Sequence, residues 1–398
     1  NKILEKFNNY YENCNFHDFS HTEKLYYKDF NSNILDDFEI DKVPLASGSI
    51  GQVYKGYYKN KIKNGKKIKV AIKVLHPNIE YQLSVPNNIL IFLNYIANKI
   101  GFLNKFRSIV DINTFFKNLQ KQINLDIESN NIRKMNKIYQ NNSFIVIPKV
   151  YKNSNNIIVM SYEEGDFFEN INLSEYQKFK IIILLRIYLN SSGAIDNFMH
   201  GDLHNGNWKV RKHPNYKDVF QLVLLDFGLC IEMDDPDFIK DIQNSIETKN
   251  IKLCYDTIKK YNNIEIDFYD EFKENFNDYS NKNMFSINKI IKFLIDKNIK
   301  IKNNILDGGI ITSICENHFK NYLQKVSNAY TKNNTYNFFP SLIAFCKTYN
   351  CFNEFCITLE QKMSKLKDYE LFEIAGDKMI PIDSDSELET DSDSDCDN

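Results

Sequence analysis

The chain has 398 residues, of which 43% are hydrophobic and 26% are charged, so it contains enough apolar material for the cores of two lobes or two domains. Its formal net charge of −2 excludes the strong global field that attracts nucleic acid, and we expect no nucleic-acid partner. The negative charge is concentrated at one end. Residues 383–398 carry eight acids and no base, and without those eight charges the remainder of the chain carries +6.

Cysteine spacing and hydropathy indicate the redox state of the thiols and whether the chain crosses a membrane. The eight cysteines include no Cys-x-x-Cys pair, which indicates reduced thiols in an intracellular protein, although the spacing identifies no compartment. The longest apolar runs, residues 89–103 and 181–189, are interrupted by Asn, Lys or Arg. We therefore expect no transmembrane segment, and peripheral association with a membrane is left open.

Composition and periodicity divide the chain into four regions. A polar, helical N-terminal extension (residues 1–42) precedes a small lobe that contains strands (43–164), and a larger helical lobe follows (165–378). The tail (379–398) alternates acids with Ser or Thr, and this composition predicts disorder. The order of elements predicts an α+β protein in which a small β-containing lobe precedes a large helical lobe.

The first clear strand signal is a hairpin. Ile50–Tyr58 and Ile68–Leu75 are β-rich, and the polar segment Lys59–Lys67 between them is predicted to be the hairpin tip, with Asn64-Gly65 as a turn signal. Apolar spacing of three and four residues predicts helices further on, and shorter apolar runs predict strands. These elements are helical Pro86–Tyr139 with its last helix at Phe115–Tyr139, strands Phe144–Val150, Ile157–Tyr162 and Phe220–Leu225, a helix Ser174–Asn190 capped by Ser174, and helices from Cys230 almost to Lys378.

The segment His200–Asn207 carries the most specific local pattern in the chain. Asp202 is followed five residues later by Asn207, which is the spacing of a kinase catalytic loop. This chemistry requires a carboxylate that orients or accepts the proton of an attacking hydroxyl or water. His204 lies where an ordinary kinase has a lysine near the transferred phosphate, and its imidazole can donate a hydrogen bond there.

A second carboxylate follows at the end of an apolar run. The triplet Asp226-Phe227-Gly228 comes nineteen residues after Asn207. Carboxylate and amide oxygens are the hard ligands that Mg²⁺ prefers, so Asn207 and Asp226 are predicted to hold magnesium beneath the phosphates of ATP. Either motif alone has little specificity, and their order and separation make the pair specific.

A third motif lies upstream, on the second strand of the hairpin. The segment Val70-Ala71-Ile72-Lys73 matches the kinase strand whose lysine reaches the α- and β-phosphates and pairs with a helical glutamate. An exposed lysine at the end of a hairpin would explain this motif if it stood alone. Together with Asp202 it is predicted to be catalytic, with Glu128 as the helical partner and Asp126 as the competing candidate.

Two further segments are predicted to bind the nucleotide. A strand that ends near Met160 suggests a hinge, with Met160 as gatekeeper and backbone groups of Ser161 and Tyr162 offered to adenine. Residues 45–53, called the nucleotide loop below, are rich in small residues but lack the usual kinase glycine pattern. The nucleotide loop consists of Leu45, Ala46, Ser47, Gly48, Ser49, Ile50, Gly51, Gln52 and Val53.

The nucleotide loop closely resembles the alanine-rich loop of the UbiB/AarF-type (ADCK) atypical protein kinase-like family. Residues 122–131, 198–207 and 225–229 resemble the helix-C motif, the catalytic loop and the metal loop of the same family. The resemblance implies a bilobal protein-kinase-like fold with helices inserted in the N-lobe, and it places the partner of Lys73 at Glu128. It also implies binding of ATP and Mg²⁺ and a kinase or ATPase activity linked to coenzyme Q or lipid metabolism.

Two features depart from that family. Its lysine–x–glycine–glutamine signature, carried by a helix that folds over the site and blocks protein substrates, is not found in this sequence. Gly48 stands where many relatives have alanine. Because glycine allows a closer approach to the phosphates, we hypothesise that Gly48 favours phosphotransfer over ATP hydrolysis.

Three functions compete at this point. The first is an active kinase or ATPase whose acceptor is an unidentified protein Ser or Thr, lipid or small molecule. The second is a small-molecule phosphotransferase of the aminoglycoside or choline kinase type, against which residues 49–53 and 226–228 argue. The third is a nucleotide-bound, pseudokinase-like scaffold, in which the acidic tail would be the working part.

Overall fold

The fold is taken from a computed structural model of the chain. Helices are numbered α1–α7 and strands β1–β13 in chain order. The helices are α1 (Phe19–Phe30), α2 (Ile34–Asp37), α3 (Leu125–Ile138), α4 (Glu175–Ala194), α5 (Ile251–Asn262), α6 (Tyr269–Phe276) and α7 (Ile287–Asp296). The strands are β1 (Phe38–Ile40), β2 (Ala46–Ser47), β3 (Gly51–Lys63), β4 (Lys66–Leu75), β5 (Ile145–Val146), β6 (Val150–Asn153), β7 (Ile157–Ser161), β8 (Phe198–His200), β9 (Trp208–Lys212), β10 (Phe220–Leu224), β11 (Cys230–Glu232), β12 (Phe372–Ala375) and β13 (Lys378–Pro381). The residues described are 16–81, 121, 123–173, 175–194, 196–215, 219–232, 238, 241–242, 245, 250–276, 287–297, 299, 372–375 and 378–381.

The first lobe is built on an antiparallel sheet with the strand order β1-β3-β4-β7-β6, and β2 pairs with the start of β3. The hairpin between β3 and β4 closes through Asn64 and Gly65, whose φ angles of 52° and 75° are those of a two-residue turn. The prediction of a long polar tip at residues 59–67 is therefore wrong, since strand pairing continues to Lys63 and Lys66. Backbone pairing in this solvent-exposed end requires no apolar side chains, so the polar sequence did not indicate it.

The two faces of this sheet pack against different partners, because successive strand residues point to opposite sides. One face carries Tyr54 and Ile72 and packs with Tyr26 of α1 in a core formed by the N-terminal extension. The opposite face carries Ala71 and joins Met135 of α3 in the main core. Full burial of side chains of this size contributes about 1.5–3 kcal/mol each. The cleft of the protein therefore lies on the Ala71 face.

The second lobe places three strand ends next to the predicted catalytic residues. Strand β8 ends at His200, two residues before Asp202, and β9 begins at Trp208, directly after Asn207. Strand β10 pairs with β9 and with the short β5, and it ends two residues before Asp226. Trp208 and the β10 residues are buried, so packing fixes the strands that carry the loops.

Several predicted elements differ from the observed ones. The helix that carries Glu128 begins at Leu125, because Asn124 is extended (φ −115°, ψ 98°) and its side chain caps the N–H of Asp126. Residues 115–120 of the helix expected at Phe115–Tyr139 lie outside the described residues. The strand expected at Phe144–Val150 is reduced to two residues, since the N–H groups of residues 144 and 145 bond to the side chain of Asn142.

The C-terminal predictions also need correction. The chain is not uniformly helical after Cys230, because β11 pairs with β8 and β12 pairs with β13 through backbone bonds that apolar spacing does not reveal. Strand β13 also takes up residues 379–381 of the expected tail. Within the described part of the chain, no helix is both long and apolar enough to cross a bilayer. The predictions for residues 1–15, 82–120, Ser174 and most of 300–398 lie outside the described residues.

Candidate active site

Lys73 is held between two carboxylates at the cleft face of the sheet. Its Nζ atom donates to Glu128 Oε2 of α3 at 2.8 Å and to Asp226 Oδ2 at 3.0 Å. The Lys73 side chain is 11% exposed and that of Glu128 is 1% exposed, whereas Asp226 is 46% exposed. Three segments that are distant in sequence, β4, α3 and the loop after β10, therefore meet at one ammonium group.

The charges of this triad follow from burial and proximity. Burial raises the pKa of Glu128 to about 7, and the positive charge of Lys73 offsets only part of this effect. Burial opposes the charged form of Lys73, but Asp226 and Glu128 outweigh it and keep the pKa of Lys73 above its usual range. Burial also opposes the charge of Asp226, but Lys73 holds its pKa below the usual range. Lys73 and Asp226 are thus charged near neutral pH, while Glu128 titrates there.

The structure distinguishes between the two candidate partners of Lys73. Asp126 accepts a hydrogen bond from Asn153 Nδ2 and lies away from Lys73, so Glu128 is the partner. The same helix supplies a residue that the sequence analysis missed. Asn131 donates from Nδ2 to the backbone carbonyl of Phe227 at 2.9 Å and so holds the segment that carries Asp226. Its position one helical turn after Glu128, on the same face, was the available signal.

His200 connects the catalytic loop to the metal loop. Its Nε2 donates to the carbonyl of Leu225 at 2.8 Å, and its Nδ1 accepts from the N–H of Asp202 at 3.1 Å. Burial lowers the pKa of His200, and the neutral ring has the one donor and one acceptor that these contacts require. The ring also packs on Phe227, with centroids 5.0 Å apart.

Three predicted site residues, Asp202, His204 and Asn207, lie together in the short turn between β8 and β9. Asn207 donates from Nδ2 to the main-chain oxygen of Asp202 at 2.7 Å and approaches its Oδ2 at 3.3 Å. His204 Nδ1 accepts from the N–H of Gly206, so the ring carries a proton on Nε2, which lies 3.8 Å from Asp202 Oδ2. The side chains of Asp202 and His204 are both about half exposed to the cleft.

Asp226 has an unusual backbone conformation. Its φ of 51° is left-handed, which is uncommon for a residue with a side chain and is typical of strained functional positions. Its Oδ1 accepts from the N–H of Gly228 at 3.2 Å, while its Oδ2 faces Lys73. The contacts of Asn131 and His200 with the residues on either side hold this conformation.

The residues present fit a magnesium ion and a nucleotide. The amide nitrogen of Asn207 is occupied by Asp202, which leaves the amide oxygen as the atom offered to a cation. Asp226 supplies a carboxylate that remains partly exposed. Mg²⁺ is commonly held by one or two such oxygens together with substrate phosphates. The ammonium of Lys73 beside Asp226 is suited to those phosphates.

The nucleotide loop is divided between the two faces of the sheet. Val53 lies opposite Lys73 and Ala46 lies opposite Val53, so both belong to the cleft face. Gln52 and Ser47 lie on the other face and are buried. The strand period of two therefore turns the side chains of Ser47 and Gln52 away from the cleft, and the prediction that these residues bind the nucleotide now depends on their backbone groups.

The remaining loop residues form its tight turn. The N–H of Gly48 bonds to the carbonyl of Gly51 at 3.0 Å, and Ser49 at the tip is exposed. A side chain at Gly51 would overlap the carbonyl of Val74, whereas a methyl group at Gly48 would meet only one atom, at 3.9 Å. Leu45 is 52% exposed and Ile50 packs against the main core.

The predicted hinge is only partly available to adenine. Met160 lies opposite Ala71 on the cleft side of the sheet, as expected of a gatekeeper. The N–H of Ser161 donates to the carbonyl of residue 149 at 2.9 Å, and the N–H of Tyr162 donates to Lys69 at 3.2 Å. Both N–H donors are thus occupied by the sheet, so the prediction that Ser161 and Tyr162 offer backbone groups to adenine now depends on their carbonyl oxygens.

Comparison with known proteins agrees with this geometry. Residues 10–261, more than half of the chain, match the family model of the ABC1 atypical kinase-like domain. The chain belongs to this family. AarF domain-containing protein kinase 1 of Xenopus laevis is 29% identical over 206 residues, which are 50% of this chain and 37% of that protein. The probable protein kinase UbiB of Shewanella piezotolerans is 30% identical over 210 residues, which are 51% and 36% of the two chains.

A solved member of the same fold is Rv3197 from Mycobacterium tuberculosis, determined in complex with erythromycin. It has a TM-score of 0.50 and 17% identity, over 74% of this chain and 78% of that chain. The predicted UbiB/AarF-type resemblance and the kinase-like α+β fold are thus confirmed. This ABC1-family chain spans about a third of the length of the two curated relatives described above.

Proposed function

We propose that this chain binds Mg²⁺-ATP and transfers the terminal phosphoryl group. The observation that carries the proposal is the buried ammonium of Lys73 between Glu128 and Asp226. A lysine that merely ended a hairpin would be solvated, whereas burial of the Lys73 ammonium with the Glu128 carboxyl costs desolvation free energy and is a weak source of stability. A site that must hold phosphates and a cation gives a physical reason for this arrangement.

Each polar residue has a separate task in the proposed reaction. Lys73 binds phosphate oxygens, and Glu128 holds the Lys73 ammonium in place. Asn207 and Asp226 hold Mg²⁺, which when bound neutralises charge on the phosphates. Asp202 orients the attacking hydroxyl or water and accepts its proton. His204 donates from Nε2 to a phosphoryl oxygen on the same side of the cleft.

The proposal includes several candidate classes of molecule that could accept the phosphoryl group. The names of the two relatives, both protein kinases, favour a protein acceptor, and the family resemblance favours a coenzyme Q or lipid precursor. The complex of Rv3197 with erythromycin makes a hydroxylated small molecule a third class to test. Water as acceptor would make the protein an ATPase.

The test is ATP turnover by the wild type and by two isosteric variants. Asp202→Asn removes the proton acceptor and Asp226→Asn removes the anionic metal ligand. We expect each to lower kcat by about 100-fold or more, the usual contribution of a general base or an electrostatic group. Asp256→Asn is the matched control, because this exposed aspartate on α5 pairs with Lys252, four residues earlier on the same helix.

The same measurement separates catalysis from a scaffold role. Nucleotide affinity is measured by isothermal titration with and without Mg²⁺, beside phosphate release and transfer of labelled phosphate to each acceptor class. Equal, slow turnover by the wild type and both variants, with unchanged Mg²⁺-dependent binding, would contradict the catalytic proposal and favour the scaffold. Loss of turnover confined to the two site variants would support it.

A further inference from the structure

A row of buried polar side chains joins the segment before α1 to the nucleotide loop, on the face of the sheet that is turned away from the cleft. Gln52 Oε1 accepts from the main-chain N–H of His17 at 2.9 Å, and Gln52 Nε2 donates to the carbonyl of His17 at 3.1 Å. The same amide group donates to the hydroxyl of Tyr54, which lies 3.0 Å from the hydroxyl of Thr22. Gln52, Tyr54 and Thr22 are fully buried.

Two histidines continue this row to the loop. The Thr22 hydroxyl lies 3.0 Å from Nε2 of His17, and Nδ1 of His17 lies 2.8 Å from Nδ1 of His76. On its other side, His76 Nε2 lies 2.9 Å from the carbonyl oxygen of Gly48 and 3.3 Å from the Ser47 hydroxyl. None of these side chains takes part in the phosphotransfer proposed above.

The direction of every hydrogen bond in the row is fixed by its two ends. A carbonyl oxygen only accepts, so His76 must donate from Nε2 to Gly48, and its Nδ1 is then an acceptor when the ring is neutral. His17 must therefore donate from Nδ1, which leaves its Nε2 as the acceptor for Thr22. At the other end the Gln52 amide nitrogen only donates, so the Tyr54 hydroxyl accepts from it and donates its own hydrogen bond to Thr22.

Only neutral rings satisfy this arrangement. A proton added to either His17 or His76 places two N–H groups against each other at 2.8 Å or removes the acceptor for Thr22. If every hydrogen bond from His76 to Tyr54 ran the other way, His76 would have to be charged, and the Tyr54 hydroxyl would have no acceptor in the row. Both alternatives leave a buried donor unpaired, which costs free energy.

We propose that His76 and His17 are positioning residues of the nucleotide loop. They tie its Gly48 carbonyl to the N-terminal segment, and they do so only as neutral rings. The effect on nucleotide binding rests on the proposed function, whereas the effect on the loop does not. The N-terminal segment would then act on the active site from behind the sheet, with no contact to ATP.

The charged and titratable neighbours of His17 support its neutral state. Asp18 follows His17 in the same segment, and His21 faces it from α1, where Lys24 lies near His21. Burial, followed by the proximity of His21 and His76, lowers the pKa of His17 to about 4, and Asp18 opposes this only in part. Burial also lowers the pKa of His21.

The first experiment measures the loop without any nucleotide. Amide hydrogen exchange of residues 47–51 is compared in the wild type, His76→Leu and His76→Gln. Glutamine offers one donor and one acceptor at imidazole-like spacing and carries no charge. We expect His76→Leu to speed exchange roughly five-fold, the effect of losing one hydrogen bond, and His76→Gln to stay within roughly two-fold of the wild type. His213→Leu, which removes a buried histidine of the other lobe, controls for general destabilisation.

The second experiment measures Mg²⁺-ATP binding and turnover by the same proteins. A positioning role predicts a higher KM for ATP in His76→Leu with kcat nearly unchanged, and restoration in His76→Gln. Unchanged loop exchange in His76→Leu, or equal acceleration in the leucine and glutamine variants, would overturn the proposal. If the wild type binds no ATP, the proposed function fails, while the exchange result still decides the positioning role.

Discussion

Replacement of Glu128 by glutamine tests the central triad, because the change keeps the shape of the side chain and removes only its charge. Lys73 Nζ would keep its bond to Asp226 at 3.0 Å and exchange a charged partner at 2.8 Å for a neutral one. Bonds to charged groups are worth about 1.5–3 kcal/mol and neutral ones about 1 kcal/mol. The difference, about 0.5–2 kcal/mol, corresponds to a roughly 2- to 30-fold lower kcat/KM for ATP.

The size of this loss should depend on pH, because the pKa of Glu128 is raised to about 7. At pH 8 about nine-tenths of the wild-type groups are ionised and the full difference is expected. At pH 6 about nine-tenths are protonated, so wild type and variant should agree within roughly two-fold. The assay is the ratio of the two kcat/KM values between pH 6 and 8, in which other titrations cancel.

The folding stability of Glu128→Gln relative to the wild type should rise with pH, whereas its relative kcat/KM should fall. A carboxyl whose folded pKa lies above its unfolded value contributes stability at low pH that is lost as pH rises through the folded value. Glu128→Gln should therefore gain stability relative to the wild type as pH rises from about 4.5 to 7. Glu271→Gln, at an exposed ion pair with Lys297, is the control. A ratio of kcat/KM that is independent of pH would refute the argument.

Three further outcomes are expected. Gly51→Ala should lower Tm by several degrees because the new methyl group overlaps the backbone of β4, whereas Gly48→Ala has open space and should leave Tm unchanged. A shift in the ratio of ATP hydrolysis to phosphotransfer in Gly48→Ala would support the hypothesis that Gly48 favours phosphotransfer, and an unchanged ratio would contradict it. Asn131→Leu should lower kcat roughly ten-fold, because it removes the hydrogen bond that holds the Phe227 carbonyl. If Asn131→Gln, with its longer side chain, had the kcat of the wild type, this bond would not be the cause of the loss. As pH drops from about 6.5 to 4, the free energy of unfolding should fall more steeply for the wild type than for His17→Gln, because the unfolded chain takes up a proton that the folded chain excludes. The full shift corresponds to about 3 kcal/mol, and solvent screening of this half-buried ring reduces the expected difference to about 2 kcal/mol or less. Parallel pH profiles would contradict this.

Local sequence determined which residues are the candidates for the proposed chemistry. The Asp202–Asn207 spacing, the Asp226 triplet and the strand that presents Lys73 are short-range patterns, and each appears in the structure on the predicted element. Such patterns survive because a turn of fixed length needs particular residues at fixed offsets. The hydrophobic period predicted the strands around Lys73 and the helix that carries Glu128. It did not predict where that helix begins, because a capping asparagine sets its start.

Tertiary structure alone decided which groups meet. Glu128 rather than Asp126 reaches Lys73 because of the way α3 is rotated against the sheet, and pairing with the neighbouring strands occupies the N–H groups of the hinge. The nucleotide loop is one continuous motif in the sequence, but side chains alternate along a strand, so Val53 faces the cleft and Gln52 faces the opposite side of the sheet. There Gln52 meets His17, 35 residues earlier in the chain, and begins the row of hydrogen bonds that ends at Gly48. Contacts of this kind depend on packing between distant segments, and no local pattern in the sequence encodes them.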